Sequence, residues 1–273
     1  MRVDDLVFDV GAHHGEDSAF YLALGYRVVA FEADPDHAAR CRTRFADELA
    51  SGRWRLIEGA IAEPGSGPIR FYRSRTNSSW GTTDGDWVER REDVSDFELV
   101  EVAPVDFGAA LREHGVPHFM KIDIEGADRL CLEALRELTA RPRFVSIESD
   151  KLSYREVSRE LDLFEALGYS QFAVMQQARI QHQSVRIRDL AGRPVSYSFE
   201  SDASGAFGDD VGPWRDRRAT MLRYRGIFVL YKLLGEGGLL RSFRLGRIIA
   251  VRLPRYRGMR LPGWYDTHAM LAE

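Results

Sequence analysis

Residues 6–32, LVFDVGAHHGEDSAFYLALGYRVVAFE, restrict the fold more than any other stretch. Leu6, Val7 and Phe8 begin an apolar run that stops at Asp9. A turn containing Gly11 and Gly15 follows. Residues 16–24 then read as a helix, with Ala19, Phe20, Ala23 and Leu24 on one face and Gly25 as its stop. Residues 27–31 return as an apolar strand closed by Glu32. Strand, tight turn, helix and strand in so short a span open a parallel α/β sheet, with a nucleotide-type ligand expected at its switch point.

The alternation continues. Asp34-Pro35 opens a second helix, aspartate as cap and proline at its first position, with Ala38, Cys41, Phe45 and Leu49 as the apolar stripe. Residues 54–57 read as a third strand, and residues 69–72, after the Pro64–Pro68 turn, as the return strand of a hairpin insertion. Residues 74–96 are polar and carry Trp80 and Trp87, which favours a loop folded over something. A short helix over 105–114, a central strand over 119–123, and strands over 144–147 and 170–175 complete the pattern. Ser153 and Glu156 form a capping box for a helix with Val157, Leu161 and Phe164 inward. The expectation is a doubly wound, mostly parallel sheet over residues 1–175. Residues 176–273 are expected to complete the sheet and add a basic, substrate-side extension.

The first turn also carries chemical information. A dinucleotide fingerprint needs G-x-G-x-x-G; here Gly11 and Gly15 stand alone, and Glu16 and Asp17 follow. Two carboxylates at a helix start repel a pyrophosphate but suit a ligand with cationic groups, such as the ammonium and sulfonium of S-adenosylmethionine. They also complement the helix dipole, a role that does not exclude ligand contact. Glu32 ends the second strand, where a carboxylate can accept from both hydroxyls of a ribose.

Three segments resemble the FkbM family of S-adenosylmethionine-dependent methyltransferases. They are the run from Asp9 to Asp17 with Phe20-Tyr21-Leu22, then Phe31-Glu32-Ala33-Asp34-Pro35, and then the run from Met120 to Asp128. Gly59-Ala60-Ile61 and Ser146-Ile147-Glu148 fit as well, and Gly263-Trp264-Tyr265-Asp266-Thr267-His268-Ala269 resembles a tail motif of one branch. His13 and His14 depart from it: many members have asparagine at the first position and often an apolar residue at the second. The resemblance implies a Rossmann-like class I methyltransferase that O-methylates a hydroxyl on a sugar, glycolipid or other natural product. It places Asp9, Gly11, Gly15, Glu32 and Ala60 on the cofactor wall. Ala12, His13, Ala33 and Gly59 stand in the same motifs, and the charge argument adds Asp17 and Ser18.

Asp123, Glu125 and Glu148 lie at or just beyond the C-terminal ends of central strands, where open α/β sheets bind their ligands. Asp123 suits electrostatics beside the cofactor. Glu125 and Glu148 suit contact with the acceptor, a general base or a divalent ion, unless Lys121 ties one of them into a structural network. His14 is a further candidate base, as is His268, which Asp266 two residues earlier would orient on an extended segment. The alternative for that cluster is a docked tail anchored by Trp264. His37, His114 and His118 read as surface or packing residues. Whether a divalent metal takes part is left open.

Two cysteines, Cys41 and Cys131, make neither a disulfide framework nor a zinc cluster, and a reduced cytoplasm is the simple expectation. The first ten residues read as a core strand rather than a secretory signal. Net charge is −4, yet the chain after Trp214 holds thirteen Lys+Arg against four Asp+Glu. Arg241, Arg244, Arg247 and Arg252 interleave with apolar residues there. That face is either solvated or meets an anionic partner: a phosphate, a nucleotide-linked sugar or a lipid head group. Overall acidity argues against general nucleic-acid binding. The expected partner is a small-molecule or glycan acceptor. The other readings are a nicotinamide-dependent oxidoreductase, disfavoured by the missing glycine, and a non-catalytic binding module.

Overall fold

The computed structural model describes residues 1–78, 80–89, 94–124, 126–149, 153–181, 183–234 and 264–272. Its centre is a seven-stranded sheet. We label its strands in chain order: β1 Arg2–Val10, β2 Arg27–Glu32, β3 Trp54–Glu58, β4 Val116–Ile122, β5 Phe144–Glu148, β6 Tyr169–Gln176 and β7 Tyr265–Leu271. Their spatial order is β3-β2-β1-β4-β5-β7-β6. The pairs among β3, β2, β1, β4 and β5 are all parallel. β7 enters antiparallel between β5 and β6. The doubly wound, mostly parallel sheet expected from the sequence is what forms.

β1 has no solvent face along residues 6–10, because a parallel sheet is covered on both sides. Leu6, Phe8 and Val10 pack with Phe31, Met120 and Val145 under the helices Phe107–His114 and Tyr154–Ala166. Val7 points the other way, with Phe20, Tyr21 and Phe119, toward the helix α1 (Glu16–Ala23) and a segment bearing Phe199 and Phe207. Phe8 is fully buried and touches the rings of Phe31 and Phe107 at 5.3 and 6.0 Å. Cutting such a side chain to alanine costs about 3–5 kcal/mol.

The helix α2 (Pro35–Arg44) begins where the sequence marks it. Asp34 caps it, accepting from the N–H of Asp36 at 2.8 Å and of His37 at 3.4 Å. Ser153 likewise accepts from Glu156 N, as the capping box requires.

Two expectations change. The return strand, Ile69–Ser74, does not pair with β3. It joins Gly81–Thr82 and Phe97–Val102 in a separate three-stranded antiparallel sheet, where Phe71 and Val102 bury themselves against Ala60. β3 instead continues into Ala60–Ile61, which pairs with Pro104–Val105. Within the loop-rich stretch after residue 176, Ser184–Arg188 and Pro194–Ser198 form a hairpin whose Ile187 packs on the α1 side of the sheet. The arginine-rich stripe over residues 239–253 lies outside the described residues. Among those described, no helix is long and apolar enough to cross a membrane.

Candidate active site

The turn after β1 is held by backbone. Gly11 N and Ala12 N both donate to the carbonyl of Phe31 at 3.0 Å. Gly11 has φ +85°, and a Cβ there would lie 1.9 Å from the carbonyl oxygen of Asp123, so only glycine lets the turn pass the end of β4. Gly15, at φ +83°, is pressed in the same way against the Phe45 ring.

Lys121 ties this turn together. Its ammonium is buried and donates to Gly11 O at 2.7 Å. It lies 3.7 Å from Asp9, 3.6 Å from Asp17 and 3.6 Å from Asp123. Burial alone would discharge it, but the three carboxylates override burial and raise its pKa. Asp9 is fully buried and accepts from Ser18 Oγ at 2.6 Å, which in turn accepts from Trp54 Nε1 at 3.1 Å. Burial pushes the carboxyls of Asp9 and Asp17 up, against the pull of Lys121. Both oxygens of Asp17 are engaged by Ser204, through its backbone N–H at 2.8 Å and its hydroxyl at 2.7 Å. Three carboxylates around one ammonium leave the site negative.

At the end of β2, Glu32 accepts from His13 N at 2.7 Å through one oxygen and from Asp34 N at 2.8 Å through the other. Each oxygen keeps a second lone pair, so the carboxylate can still receive two hydroxyls. Burial raises Glu32 to about 7.

A cavity opens over these groups at the C-terminal ends of β1, β2 and β4, the switch point of the sheet. Phe31, Ala60, Ile61 and Phe71 give it apolar walls; Glu16, Asp17, Glu32 and Asp123 give it acids. Ser78, Gly81 and Thr83 line it too, so the long polar loop borders this cavity. A second cavity, lined by Gln177, Gln181, Ser204, Trp264 and Asp266, shares Asp123 and Asp202 with the first. Burial pushes the carboxyl of Asp266 up strongly, helped by the nearby acids Asp123 and Glu148, and Gln177 Nε2 donates to it at 2.5 Å.

Of the residues singled out from sequence, Gly11, Ala12, His13, Asp17, Glu32, Ala33, Gly59, Ala60 and Asp123 line the first cavity. Asp9, Gly15 and Ser18 do not. Ser18 donates to one oxygen of Asp9 beneath the turn, and Gly15 packs on Phe45. His14 lies behind the cavity wall, stacked on His13. Glu148 ends β5 opposite Asp266 but lines neither cavity. Glu125 lies outside the described residues.

His268 needs the clearest correction. It sits opposite Ser146 inside the sheet, 2 % exposed, and neither ring nitrogen has a hydrogen-bond partner among the described residues. Burial lowers it to about 4, which keeps the ring neutral. Asp266 binds Gln177 instead of orienting it. His37, read as a surface or packing residue, lines the cofactor-side cavity. Asp202, Gln177, Gln181 and the acid role of Asp266 escaped the sequence reading. Asp202 stands at φ +70°, beside the glycine-dense 204–208 segment that was its only signal.

One reversed strand among six parallel ones, with an acid-walled cavity at the switch point, defines a Rossmann-like class I methyltransferase. The chain belongs to the FkbM methyltransferase family: the Methyltransferase FkbM domain matches residues 9–171. Among solved structures it is similar to methyltransferase FkbM from Methylobacillus flagellatus KT, at 22% identity and TM-score 0.34 over 63% of this chain and 40% of that one. It is also similar to precorrin-6y C5,15-methyltransferase from Geobacter metallireducens GS-15, at 15% identity and TM-score 0.36 over 72% and 81%. A 57-residue stretch is 40% identical to a probable ribosomal RNA small subunit methyltransferase A of Haloarcula marismortui. That match covers 21% of this chain and 20% of the relative's length.

The family implies S-adenosylmethionine, and the donor set fits it. Glu32 would hold the ribose diol, and the slot of Phe31, Ala60, Ile61 and Phe71 a flat base. Asp17 and Asp123 would face the cationic end. When bound, the cofactor supplies an electrophilic methyl on a sulfonium.

Proposed function

We propose that this methyltransferase acts on a hydroxyl of a neutral, polyhydroxylated acceptor, a sugar or glycosylated natural product. The single observation that carries the reading is the second cavity. Amides from Gln177 and Gln181, hydroxyl and carboxyl groups from Ser204, Asp202 and Asp266, and the indole of Trp264 surround it. Several donors and acceptors beside an aromatic face suit a polyol. The acids disfavour a phosphate-rich acceptor, and so weigh against RNA and against an anionic head group at this position.

An alcohol must be aligned and must lose its proton as it reacts. Asp123 and Asp202 border both cavities. Asp123 is ion-paired to Lys121, whereas Asp202 is exposed, without an ion pair or hydrogen bond among the described residues. Asp202 is therefore the better proton acceptor, and Asp123 the residue that fixes the hydroxyl. A positioned base contributes about 10²–10⁴-fold.

The test is transfer of labelled methyl from S-adenosylmethionine to a panel of glycosides, amines and RNA, with the wild type and Asp202→Asn. The reading expects label on glycoside oxygen, and kcat reduced about 10²-fold in the variant with cofactor affinity unchanged. Label appearing only on amines or RNA would sink it.

A further inference from the structure

We propose that His13, His14 and His37 form a binding site for a borderline first-row transition-metal ion, typified by Zn²⁺, at the edge of the cofactor cavity. Each histidine offers one ring nitrogen, and the three atoms lie within 4.8 Å of one another. The rings of His13 and His14 stack with centroids 3.8 Å apart, and His37 stands edge-on to both at 4.7 Å. Zinc–nitrogen bonds of about 2.0–2.1 Å require this set to close and the stacked His13 and His14 rings to turn until their lone pairs converge on one ion. Imidazoles select zinc, nickel or copper over magnesium or calcium.

The environment keeps lone pairs available. His13 Nδ1 is buried without a hydrogen-bond partner among the described residues, while its Nε2 lies 3.0 Å from Ser78 Oγ. If Nε2–H donates to Ser78, Nδ1 carries the free pair, the division of labour of a metal-bound imidazole. Glu16 stands 3.5 Å from His13 Nδ1 and 3.6 Å from His14 Nδ1, and Glu32 stands 3.9 Å from His37 Nδ1. These carboxylates offset a cation's charge. Arg40 opposes it, with Nη1 3.2 Å from His14 Nε2. The site joins the turn after β1 to the first turn of α2. An occupying ion therefore clamps two walls of the cavity, since His13 and His37 both line it. The inference does not depend on the acceptor.

The experiment is zinc titration by calorimetry of the full chain, untagged and stripped with chelator, with magnesium as control. One Zn²⁺ per chain is expected, with no magnesium heat. His14→Gln and His37→Gln should each weaken binding at least ~10-fold, and zinc-edge absorption should show three nitrogens at about 2.0–2.1 Å. Arg40→Ala, a change at an exposed side chain, should tighten binding by freeing His14 Nε2 and removing a positive charge. No saturable heat at millimolar zinc overturns the site. So does affinity unchanged by both histidine variants, which places the ion elsewhere. Should those variants fail to fold, unchanged affinity in Arg40→Ala overturns it.

Discussion

The two halves of the sheet's C-terminal edge are built differently. On the β1–β2–β4 side, charges are paired: Lys121 sits among Asp9, Asp17 and Asp123, and Glu32 receives two backbone N–H groups. On the β5–β7–β6 side Asp266 has no ion-pair partner among the described residues and is met by the neutral Gln177 amide. Asp266 is buried among other acids with its carboxyl pushed up, and His268 lies two residues deeper with both nitrogens unpartnered among the described residues. The first half is preorganised for one fixed ligand. The second holds Asp202 and Asp266 at the wall of the second cavity with no ion-pair partner among the described residues, where an acceptor's hydroxyls can meet them.

The sharpest way to break this contrast is Lys121→Met. It strands three carboxylates around a buried centre and should cost about 3–5 kcal/mol in urea unfolding. Because the carboxyls then ionise against one another, the loss should be larger at pH 8 than at pH 5. Lys121 itself contributes no slope in that range, since its raised pKa makes its contribution fade only in alkali. A loss below about 1 kcal/mol would show the hub to be no tighter than a surface pair.

Gly11→Ala comes next. Its Cβ would collide with the Asp123 carbonyl, adding ~1–3 kcal/mol of backbone strain and displacing the turn, so cofactor binding should vanish while the chain still folds.

Glu32→Gln separates ligand from scaffold. The amide cannot accept from both His13 N and Asp34 N, and cofactor affinity should fall about 10–100-fold. The pH signature follows from a folded pKa raised from 4.5 to about 7. In the ligand-free wild type, the stability linked to this proton is complete below 4.5 and lost as pH rises through 7; the variant should lack that decline.

Asp266→Asn is the smallest change. Burial and the neighbouring acids push that carboxyl toward its neutral form, so the isosteric amide should alter stability by less than ~1 kcal/mol and leave cofactor affinity alone, while acceptor turnover falls. A large stability loss would mean the acceptor side is paired after all.

The same division explains what the sequence disclosed. The cofactor half is local: Asp9 to Asp17, Glu32 and Gly59-Ala60 follow one another along β1, β2 and β3, so strand periodicity and glycine placement expose them. The error there was one of depth. Asp9 and Ser18 carry the right chemistry but lie under the turn, held by Trp54. The proposed acceptor half is lined by Asp123, Gln177, Asp202 and Asp266, which share no local pattern. Only the reversal of β7 brings Asp266 opposite Glu148. Read as an isolated segment, Asp266 and His268 share a side. In the sheet, two residues along the strand carry His268 about 7 Å further into the core.

The most direct measurement is calorimetric titration of the wild-type chain with S-adenosylmethionine, and with NAD as control. The account predicts saturable one-to-one binding in the range of roughly 1 µM to 1 mM, weakened in Glu32→Gln and abolished in Gly11→Ala, with no heat from NAD. Absence of S-adenosylmethionine binding by folded protein, or equal affinity in Gly11→Ala, would contradict it.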